Sequence, residues 1–491
     1  MSGNVRIALR PLGASFEVAR GAPLQEVLFP YGVEFPCGGR ARCKGCRVRV
    51  LEGDLPVTPE QERMLSRAEI DAGWRLACHC RAEADLTLEL AQWEAAILSD
   101  ESPFSFTPRA GLGVAIDVGT TTIVAQLLDL RTADVLAVTT ALNGQAKHGA
   151  DVMSRVGFAV NERKQDVLTG LIREQTGSMI RHLIHRSGAD AASLTDVVLV
   201  GNTVMHHLFC GIGLEPLAHV PFEPSYDGLV EVDAATRFLP CLGGFVGSDI
   251  LAGILATRMH ERTELAVLMD LGTNGEIVVG NRERLLCCST AAGPAFEGGR
   301  ISMGMRAATG AIAEVAVEDG GWRCHVLGGG TPRGICGSGL VDAVAVALDL
   351  GRVLPNGRMA GGARELPIEP PVALTQQDVR ELQLAKGAMA AGVDILLRRW
   401  GAAPEDVHRV YLAGAFGNYL NRSSARRIGL LPFHEEQVQP AGNTALLGAK
   451  LGLFEDGDFA SVRRIVEHVP LGADPDFQER YIEAIPFPPP A

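Results

Sequence analysis

The chain has 491 residues, 47% of them hydrophobic and 21% charged, which is the balance of a globular protein with more than one domain. Its net charge of −13 disfavours non-specific binding to nucleic acid. The start "MSGNVRIALRPLG" lacks the apolar core of a secretion signal, and no uninterrupted apolar run has the length of a membrane span. We therefore expect a cytoplasmic protein without a nucleic-acid or membrane partner, in which clustered thiols hold metal more often than they form disulfides.

The N-terminal elements, residues 1–92, follow the order of a β-grasp ferredoxin domain. The segment "NVRIALRPLGASFEVARG" alternates like a two-stranded hairpin, and "PLQEVLFPYG" predicts a short helix. The segment "CRVRVLEG" predicts a strand that leaves a cysteine-rich loop, and "ADLTLEL" predicts the last strand.

The cysteines of this region have the spacing of iron–sulfur ligands. Cys37, Cys43 and Cys46 form C-x5-C-x2-C, and the later segment "WRLACHC" supplies Cys78 and Cys80. Three close thiolates and a distant fourth are the ligand arrangement of a [2Fe–2S] ferredoxin. We predict Cys78 as the fourth ligand from its "RLAC" context, with Cys80 as the alternative.

The composition of the loop suits a negatively charged cluster. Glycines let the backbone approach the sulfides, and basic side chains offset the charge of four thiolates. The glycines are Gly38, Gly39 and Gly45, and the basic residues are Arg40, Arg42 and Lys44, with Arg47 and Arg49 on the next strand. Three other interpretations stay open: a structural zinc site, which would prefer more C-x2-C pairs, a redox thiol switch, and unliganded core cysteines.

After a linker at residues 93–111, one pattern occurs twice. "LGVAIDVGTTTIVAQLLDL" and "LAVLMDLGTNGEIVVGN" each predict an apolar strand, a tight turn and a second strand. Glycine, threonine and asparagine in such turns suit the oxygens of a nucleotide phosphate, and an aspartate at the strand end suits hydrated Mg²⁺. The predicted Mg²⁺-binding residues are Asp117 and Asp270, and the predicted phosphate-binding residues are Gly119, Thr120, Thr121, Thr122, Gly272, Thr273 and Asn274.

A third element, "RVYLAGAFGNYL", predicts a strand that runs into a glycine-rich turn and a helix. Gly414, Gly417 and Asn418 are the candidates for contact with a flat adenine. A plain strand-to-helix turn is the alternative interpretation.

The order of these three loops resembles that of the ASKHA superfamily, which includes acetate and sugar kinases and actin. The resemblance implies a two-lobed α/β ATPase fold, with lobes at 112–265 and 266–485. It also implies a first connecting segment at "DVVLVGNTVMHHLFCGI", which contains Asn202, and a second connecting helix at "GNTALLGAKLGLF". Small residues there would let two helices cross closely.

Two further features are expected in the cleft. Asp249, in "GFVGSDILAGILA", is predicted either as a helix N-cap or as the residue that positions the attacking water. The segments "STAAGPAFEGGRI" and "RGICGSGLVDAVA" are rich in glycine and are predicted to line the cleft.

The fusion of both modules resembles the reductive activators of corrinoid-dependent enzymes, on the motifs "DVGTTT", "GNTVMHHL", "DLGTNGE", "AAGPAFEG", "GICGSGL" and "AGAFGN". The resemblance implies ATP-dependent reduction of Co(II) to Co(I) on a corrinoid protein of a methyltransferase system. It implies a [2Fe–2S] cluster, ATP and Mg²⁺ as cofactors, and an external electron donor such as a ferredoxin or a flavin reductase. It leaves a homodimer open.

Some expectations from this resemblance concern the domain arrangement. Longer relatives carry a middle domain between ferredoxin and ATPase, which the short linker here predicts to be absent. The ferredoxin domain is then expected to be loosely tethered. Cys287, Cys288 and Cys336 are interpreted as core residues, with a second cluster as the alternative, and His206 and His207 as surface or core histidines rather than metal or corrinoid ligands.

Two rival functions remain. One is a small-molecule kinase with a redox-sensing ferredoxin domain, for which Asp249 would serve as the base. The other is an electron carrier with a degenerate ATPase fold, against which the intact Asp117 and Asp270 argue.

Overall fold

The computed structural model describes residues 3–10, 13–31, 33, 46–90, 104, 106–454 and 458–489. The chain divides into two compact units: Met1–Ala96, Pro294–Leu382 and Pro489–Ala491 form the first, and Ile97–Gly293 and Gln383–Pro488 form the second. Within the described ranges, no helix is both long and apolar enough to cross a lipid bilayer.

The N-terminal part of the first unit is a five-stranded sheet with short helices. The strands of the sheet are β1 (Asn4–Arg10), β2 (Ser15–Ala19), β4 (Arg47–Glu52), β5 (Trp74–Leu76) and β7 (Leu86–Leu90). The short strands β3 (Ala22–Pro23) and β6 (Arg81–Ala82) pair with each other, and the helices are α1 (Leu24–Leu28), α2 (Pro59–Met64) and α3 (Arg67–Asp71). The sheet order is β2-β1-β7-β4-β5, with β1 antiparallel to β2 and parallel to β7. The predicted hairpin, short helix, central strand and last strand are all confirmed.

The second unit begins with a six-stranded sheet and the helices that cover it. The strands are β8 (Leu112–Val118), β9 (Thr122–Asp129), β10 (Val135–Leu142), β11 (Leu194–Val200), β12 (Val230–Glu231) and β13 (Thr236–Phe238), and the helices are α4 (Val152–Asn161), α5 (Gln165–Ser187), α6 (Thr203–Cys210) and α7 (Ser248–Thr257). The sheet order is β10-β9-β8-β11-β13-β12. The central strand β8 is apolar and almost wholly buried, as expected for a strand covered on both faces.

The remaining strands and helices belong to both units. The strands are β14 (Ala266–Leu271), β15 (Gly275–Gly280), β16 (Leu285–Thr290), β17 (Ala311–Glu318), β18 (Gly321–Val326), β19 (Gly334–Ile335), β20 (Glu365–Glu369), β21 (Val372–Thr375), β22 (Arg409–Ala413), β23 (Val438–Gly442) and β24 (Val466–His468). The helices are α8 (Gly337–Asp349), α9 (Gln376–Trp400), α10 (Gly414–Tyr419), α11 (Arg422–Arg427), α12 (Thr444–Phe454), α13 (Asp458–Ile465) and α14 (Phe477–Ala484). In the first unit, β17 to β19 form a small sheet and β20 pairs with β21.

The second unit contains the internal repeat that the sequence predicts. Its second sheet has the order β23-β22-β14-β15-β16-β24. In both sheets three consecutive strands pair antiparallel, and the first of the three also pairs with a later parallel strand, β11 or β22. Each predicted strand–turn–strand pattern is thus the start of an equivalent sheet, which confirms the two-sheet α/β fold class.

A close helix crossing connects the two sheets of this unit. Helix α12 packs on α7, and a Cβ added to Gly448 would lie 2.4 Å from the Cα atom of Ala252. The predicted second connecting helix is therefore present, with small residues at the contact. The helix that it crosses is α7, and the predicted first connecting segment forms β11 and α6, of which β11 also contacts α12.

The ferredoxin region is held by specific contacts, so the expected loose tether is wrong for the described residues. In the first unit, Arg333 donates to Leu90 O at 3.3 Å and lies 3.1 Å from Glu89 Oε1, while Arg47 Nη2 donates to Arg333 O at 3.3 Å. No local pattern predicts this packing, because Arg333 is distant along the chain.

The linker is also anchored within the second unit. The rings of Phe104 and Phe106 pack on Phe454 at the end of α12, with centroid distances of 5.4 and 5.0 Å. Aromatic pairs at such distances contribute about 0.5–1.5 kcal/mol beyond their buried area. The last part of the linker is therefore packed against the C-terminal end of α12.

Candidate functional site

Two of the four predicted cysteine ligands, Cys46 and Cys78, lie within the described residues. Cys46 immediately precedes β4, and Cys78 lies in the 3-10 turn Ala77–His79; their Sγ atoms are 3.4 Å apart. This separation is too long for a disulfide bond of about 2.05 Å, and it fits two thiolates on one cluster. Cys37 and Cys43 lie outside the described residues.

The fold separates the two candidates for the fourth ligand. Cys80 is buried, accepts a hydrogen bond from Gln61 Nε2 at 3.4 Å and donates to Leu76 O at 3.3 Å. Burial raises the pKa of the Cys80 thiol to about 11. Cys78 is half-buried beside Cys46, so the geometry favours Cys78, as the sequence does.

The two described arginines after the loop have different surroundings. Arg47 is buried, its burial lowers its pKa, and the charges of Glu69 and Cys46 act on it. Arg49 donates to Ala72 O and pairs with Glu89. Arg47 is therefore placed to offset thiolate charge, whereas Arg49 is engaged elsewhere. The other predicted basic residues and the loop glycines are outside the described residues.

The two phosphate loops meet within the second unit. Thr121 Oγ1 and Thr273 Oγ1 lie 3.0 Å apart, so one hydroxyl donates to the other. Asn202 donates to Thr120 Oγ1 at 2.8 Å and also caps α6 by accepting from the Met205 N–H. The predicted residues of both loops, with Asn202, are thus brought together. Gly119 and Thr122 flank the first turn, and Gly272 donates its N–H to Asn274 O across the second.

The third loop closes on the second. Gly414 begins α10 with φ of +81°, and a Cβ there would lie 2.7 Å from Asp270 Oδ1. Glycine is required on both counts, because side chains disfavour this conformation and the carboxylate leaves no room. Gly417 lies in α10 against Leu412, and the side chain of Asn418 lies outside what the structure describes.

Four carboxyl groups lie close together, three on the strands β8, β14 and β15 and one in the first turn of α7. Burial raises the pKa of Asp117 to about 7 and that of Asp270 to about 6. Burial, with the charges of Asp270 and Asp117, raises the pKa of Asp249 well above its usual value, and burial with Asp249 and Asp270 does the same for Glu276. The group is therefore a site of high negative charge that would favour a cation.

The arrangement suits a hydrated Mg²⁺ ion better than a metal caged by protein. Within the described part of the chain, no group of three or more His, Cys, Asp or Glu side chains is arranged to hold a metal directly. Mg²⁺ usually keeps several waters and binds through one or two carboxylates and substrate phosphates.

Two residues of this site were not among the sequence candidates. Glu276 faces Asp270 directly across the β14–β15 pair and accepts from Ser289 Oγ at 3.3 Å. Asn443 donates to Asp117 Oδ2 at 3.2 Å and caps α12 through the Leu446 N–H. An acid inside the apolar strand "GEIVVG" was a usable signal for Glu276, whereas Asn443 is linked to Asp117 only by the fold.

The structure decides between the interpretations of Asp249. The N-cap of α7 is Gly247, and Asp249 lies inside the first turn, where its carboxylate accepts the Ile250 N–H at 2.8 Å. The N-cap interpretation is therefore wrong. Asp249 is half-buried among the other carboxylates, where its role in positioning water stays a prediction.

The remaining candidates are mostly core residues. His206 and His207 are fully buried in α6, and burial lowers the pKa of each to about 4, which fits core histidines. Cys287 and Cys288 are fully buried on β16, and burial raises both thiol pKa values. Cys336 is buried at the start of α8 in the first unit. The segment "STAAGPAFEGGRI" divides between the units, and "RGICGSGLVDAVA" forms β19 and α8 of the first; that they line the cleft stays a prediction.

Comparison with known protein families matches three parts of the chain. Residues 7–83 match the 2Fe-2S iron-sulfur cluster binding domain, residues 112–262 match the RACo middle region, and residues 264–490 match the C-terminal domain of RACo, the ASKHA domain. The expected absence of the middle domain is therefore wrong. The first strand–turn–strand unit, assigned from its phosphate-loop pattern to an ATPase lobe, lies within that middle region.

Comparison with individual proteins finds two relatives whose names refer to corrinoid proteins. The chain is 35% identical over 413 residues to the corrinoid activation enzyme RamQ of Eubacterium limosum, covering 75% of this chain and 69% of that protein. It is 28% identical over 422 residues to a Co(II) methylated amine-specific corrinoid protein reductase of Methanosarcina barkeri, covering 75% and 76%.

Among solved structures, a reductive activator for corrinoid,iron-sulfur protein aligns with a TM-score of 0.69 and 25% identity over 99% of this chain and 98% of that one. Taken with the ferredoxin cysteines and the paired phosphate loops, these matches show that the chain belongs to the family of reductive activators of corrinoid-dependent enzymes.

Proposed function

We propose that the protein reduces Co(II) to Co(I) on a corrinoid protein of a methyltransferase system, one electron at a time, in a reaction that requires MgATP. The observation that carries the proposal is the fusion, in one chain of this family, of a close thiol pair with a carboxylate-lined pair of phosphate loops. A simple electron carrier would not need the nucleotide site, and a simple ATPase would not need the electron site.

The electron site would hold a [2Fe–2S] cluster, which supplies single electrons when bound. Its proposed ligands are Cys37, Cys43, Cys46 and Cys78. The 3.4 Å separation of the Cys46 and Cys78 sulfurs supports the last two, and Arg47 would offset part of their charge. An external donor, such as a ferredoxin or a flavin reductase, would reload this site.

The nucleotide site would bind ATP between the two Gly–Thr loops. Thr121 and Thr273 would bind phosphate oxygens, and Gly414 would let the backbone of the third loop approach the adenosine. Asp117 and Asp270 would hold hydrated Mg²⁺, and Asp249 would orient the attacking water. The raised pKa values support these roles, because a bound cation would relieve the mutual repulsion of the carboxylates.

Energy is needed because Co(I) corrinoid is a very strong reductant. Plant-type ferredoxins have potentials near about −400 mV. Each shortfall of about 59 mV in a one-electron step costs a factor of ten in the equilibrium constant. ATP binding or hydrolysis would compensate by favouring a complex in which an axial ligand of the cobalt is displaced.

Helix α12 offers a path from nucleotide to linker within the second unit. Asn443 caps its start and contacts Asp117, and Phe454 at its end contacts Phe104 and Phe106. An 11-residue helix is about 16 Å long. If nucleotide binding shifted Asp117, α12 would therefore transmit the shift to Phe104 and Phe106 of the linker.

Serine substitution tests the electron site. Cys78→Ser should bleach the visible absorption of the purified protein and abolish reduction of a corrinoid protein. Cys80→Ser is the matched control, because this thiol is a buried neighbour with its own hydrogen bonds, and its absorption spectrum should persist. The opposite result would assign Cys80 as the ligand.

A kinase would be identified by its product. Incubation with MgATP and candidate metabolites should yield no phosphorylated metabolite, while ATP hydrolysis should respond to the corrinoid protein. A phosphorylated product with no response to corrinoid protein would replace this proposal by the kinase function.

A further inference from the structure

Buried residues hold the first phosphate loop from its inner side. The Asn143 side chain donates to Gly119 O at 2.9 Å, and its backbone N–H donates to Thr121 O at 2.8 Å. Between them, Arg155 Nη2 donates to Thr120 O at 2.5 Å. Three successive carbonyl groups of the loop therefore point into the protein.

This anchoring sets the direction of the loop N–H groups. In a trans peptide, the C=O of one residue and the N–H of the next point in opposite directions. Because the carbonyls of Gly119 and Thr120 point inward, the N–H groups of Thr120 and Thr121 point away from Arg155. Successive N–H groups of this kind form an anion-binding concavity.

Arg155 also brings a positive charge beneath the loop. It has no exposed surface, and its other donors reach Gly149 O at 2.9 Å and Gln145 Oε1 at 3.2 Å. These acceptors are neutral. The acid whose charge acts on it, Asp151, caps α4 through Ser154. A guanidinium surrounded by neutral acceptors retains a field that a nearby anion would complement.

We propose that Arg155 is the positioning residue of the first phosphate loop, and that its buried charge stabilises the polyphosphate of MgATP. The inference rests on the proposed nucleotide function and extends it. Arg155 acts through the Thr120 peptide and through its field, without touching the phosphate. The second loop carries two carboxylates, Asp270 and Glu276, on one strand pair, whereas the first carries only Asp117. Both loops would therefore contact the cation, with more of its negative charge supplied by the second loop and more of the anion-binding N–H groups supplied by the first.

The test compares two ligands on the full-length protein. Arg155→Met removes the charge, and Arg155→Lys keeps it but loses the forked hydrogen bonds. Calorimetry with MgATP and with AMP should show MgATP binding weakened about tenfold in Arg155→Met and less in Arg155→Lys, with AMP affinity changed by less than about twofold. Arg186→Met is the control, because this arginine is exposed on α5 beside Val138 O and should bind both ligands like the wild type.

Each outcome has a separate meaning. A merely structural role would weaken MgATP and AMP binding equally, and this result would overturn the inference. So would unchanged MgATP affinity in Arg155→Lys, which is the decisive variant if Arg155→Met does not fold. Failure of the wild type to bind MgATP would instead overturn the proposed function, whereas normal wild-type binding with no difference among the variants would overturn only the role of Arg155.

Discussion

The two strand–turn–strand repeats share a backbone but differ in what surrounds their aspartates. Asp117 on β8 faces Val124 across its strand pair and accepts a hydrogen bond from Asn443. Asp270 on β14 faces Glu276 and adjoins Gly414. The first aspartate therefore accepts from a neutral amide, whereas the second lies opposite another carboxylate. Two copies of the same Asp-x-Gly-Thr pattern therefore have different electrostatic surroundings, with more negative charge beside the second copy than beside the first.

The largest effect is expected when either aspartate is neutralised. Asp117→Asn and Asp270→Asn should each lower ATP hydrolysis by about a hundredfold, because each removes a negative charge that holds Mg²⁺ against the phosphates. The iron–sulfur absorption should be unchanged. Asp129→Asn, at the far end of β9 beside Arg131, is the control and should hydrolyse ATP normally. If only one of the two substitutions lowered ATP hydrolysis, the proposal that both aspartates hold the same Mg²⁺ ion would be wrong.

Replacing the cross-strand acid sharpens the comparison. Glu276→Gln should raise the Mg²⁺ concentration for half-maximal hydrolysis by about tenfold, because it removes one charge beside Asp270 and keeps the shape. Val124→Gln introduces the same amide at the equivalent position of the first half and should have a smaller effect on this concentration. Equal effects from both substitutions would contradict the larger share of negative charge assigned to the second loop.

A smaller change is expected from Asn443, the neutral donor that contacts Asp117 of the first half. Asn443→Ala should lower the coupled reduction rate by a few-fold and stability by about 1 kcal/mol, because Asn443 also caps α12. Asn443→Asp keeps a capping oxygen but places a like charge beside Asp117. It should keep the helix cap and lower the coupled rate at least as much as Asn443→Ala does; full coupling in both variants would exclude α12 as the path.

The smallest effect is on stability as pH changes. A carboxyl group whose pKa is raised on folding keeps its proton in the folded state at a pH where the unfolded chain has lost it. Without Mg²⁺, the free energy of unfolding should therefore fall as pH rises above about 4. The contribution of Asp117 to this fall should end above about 7, and Asp249 and Glu276, whose pKa values are also raised, should add to the fall. Saturating Mg²⁺ should flatten this dependence, and Asp117→Asn should reduce it. Calorimetric melting across this range that shows rising stability would contradict the carboxylate group.

Local patterns allowed much of this molecule to be predicted from sequence. The echo of β8–β9 in β14–β15 and the β-grasp order follow from short segments with a clear period. The choice of Cys78 over Cys80 follows from the resemblance of "RLAC" to ferredoxins, and the proximity of Cys78 to Cys46 supports it. Predicting Glu276 as a site residue would require the register of two strands, and predicting Asn443 would require the packing of a distant helix on Asp117.

The errors have the same cause. The loose tether was wrong because Arg333 and Phe454 reach the ferredoxin region and the linker through contacts that no local pattern predicts. The sequence predicts the middle region to be absent because its first strands carry a phosphate-loop pattern, which the sequence alone assigns to an ATPase lobe. The N-cap interpretation of Asp249 is wrong because the position of a helix start predicted from sequence is uncertain by about one or two residues.

The central claim is that nucleotide energy drives an electron transfer that the cluster could not complete alone. It is tested most directly by following the visible spectrum of a purified Co(II) corrinoid protein mixed with the reduced full-length activator. The Co(I) spectrum should develop with MgATP and should not develop without nucleotide or with Asp117→Asn. Equal formation of Co(I) in the absence of nucleotide would contradict the account.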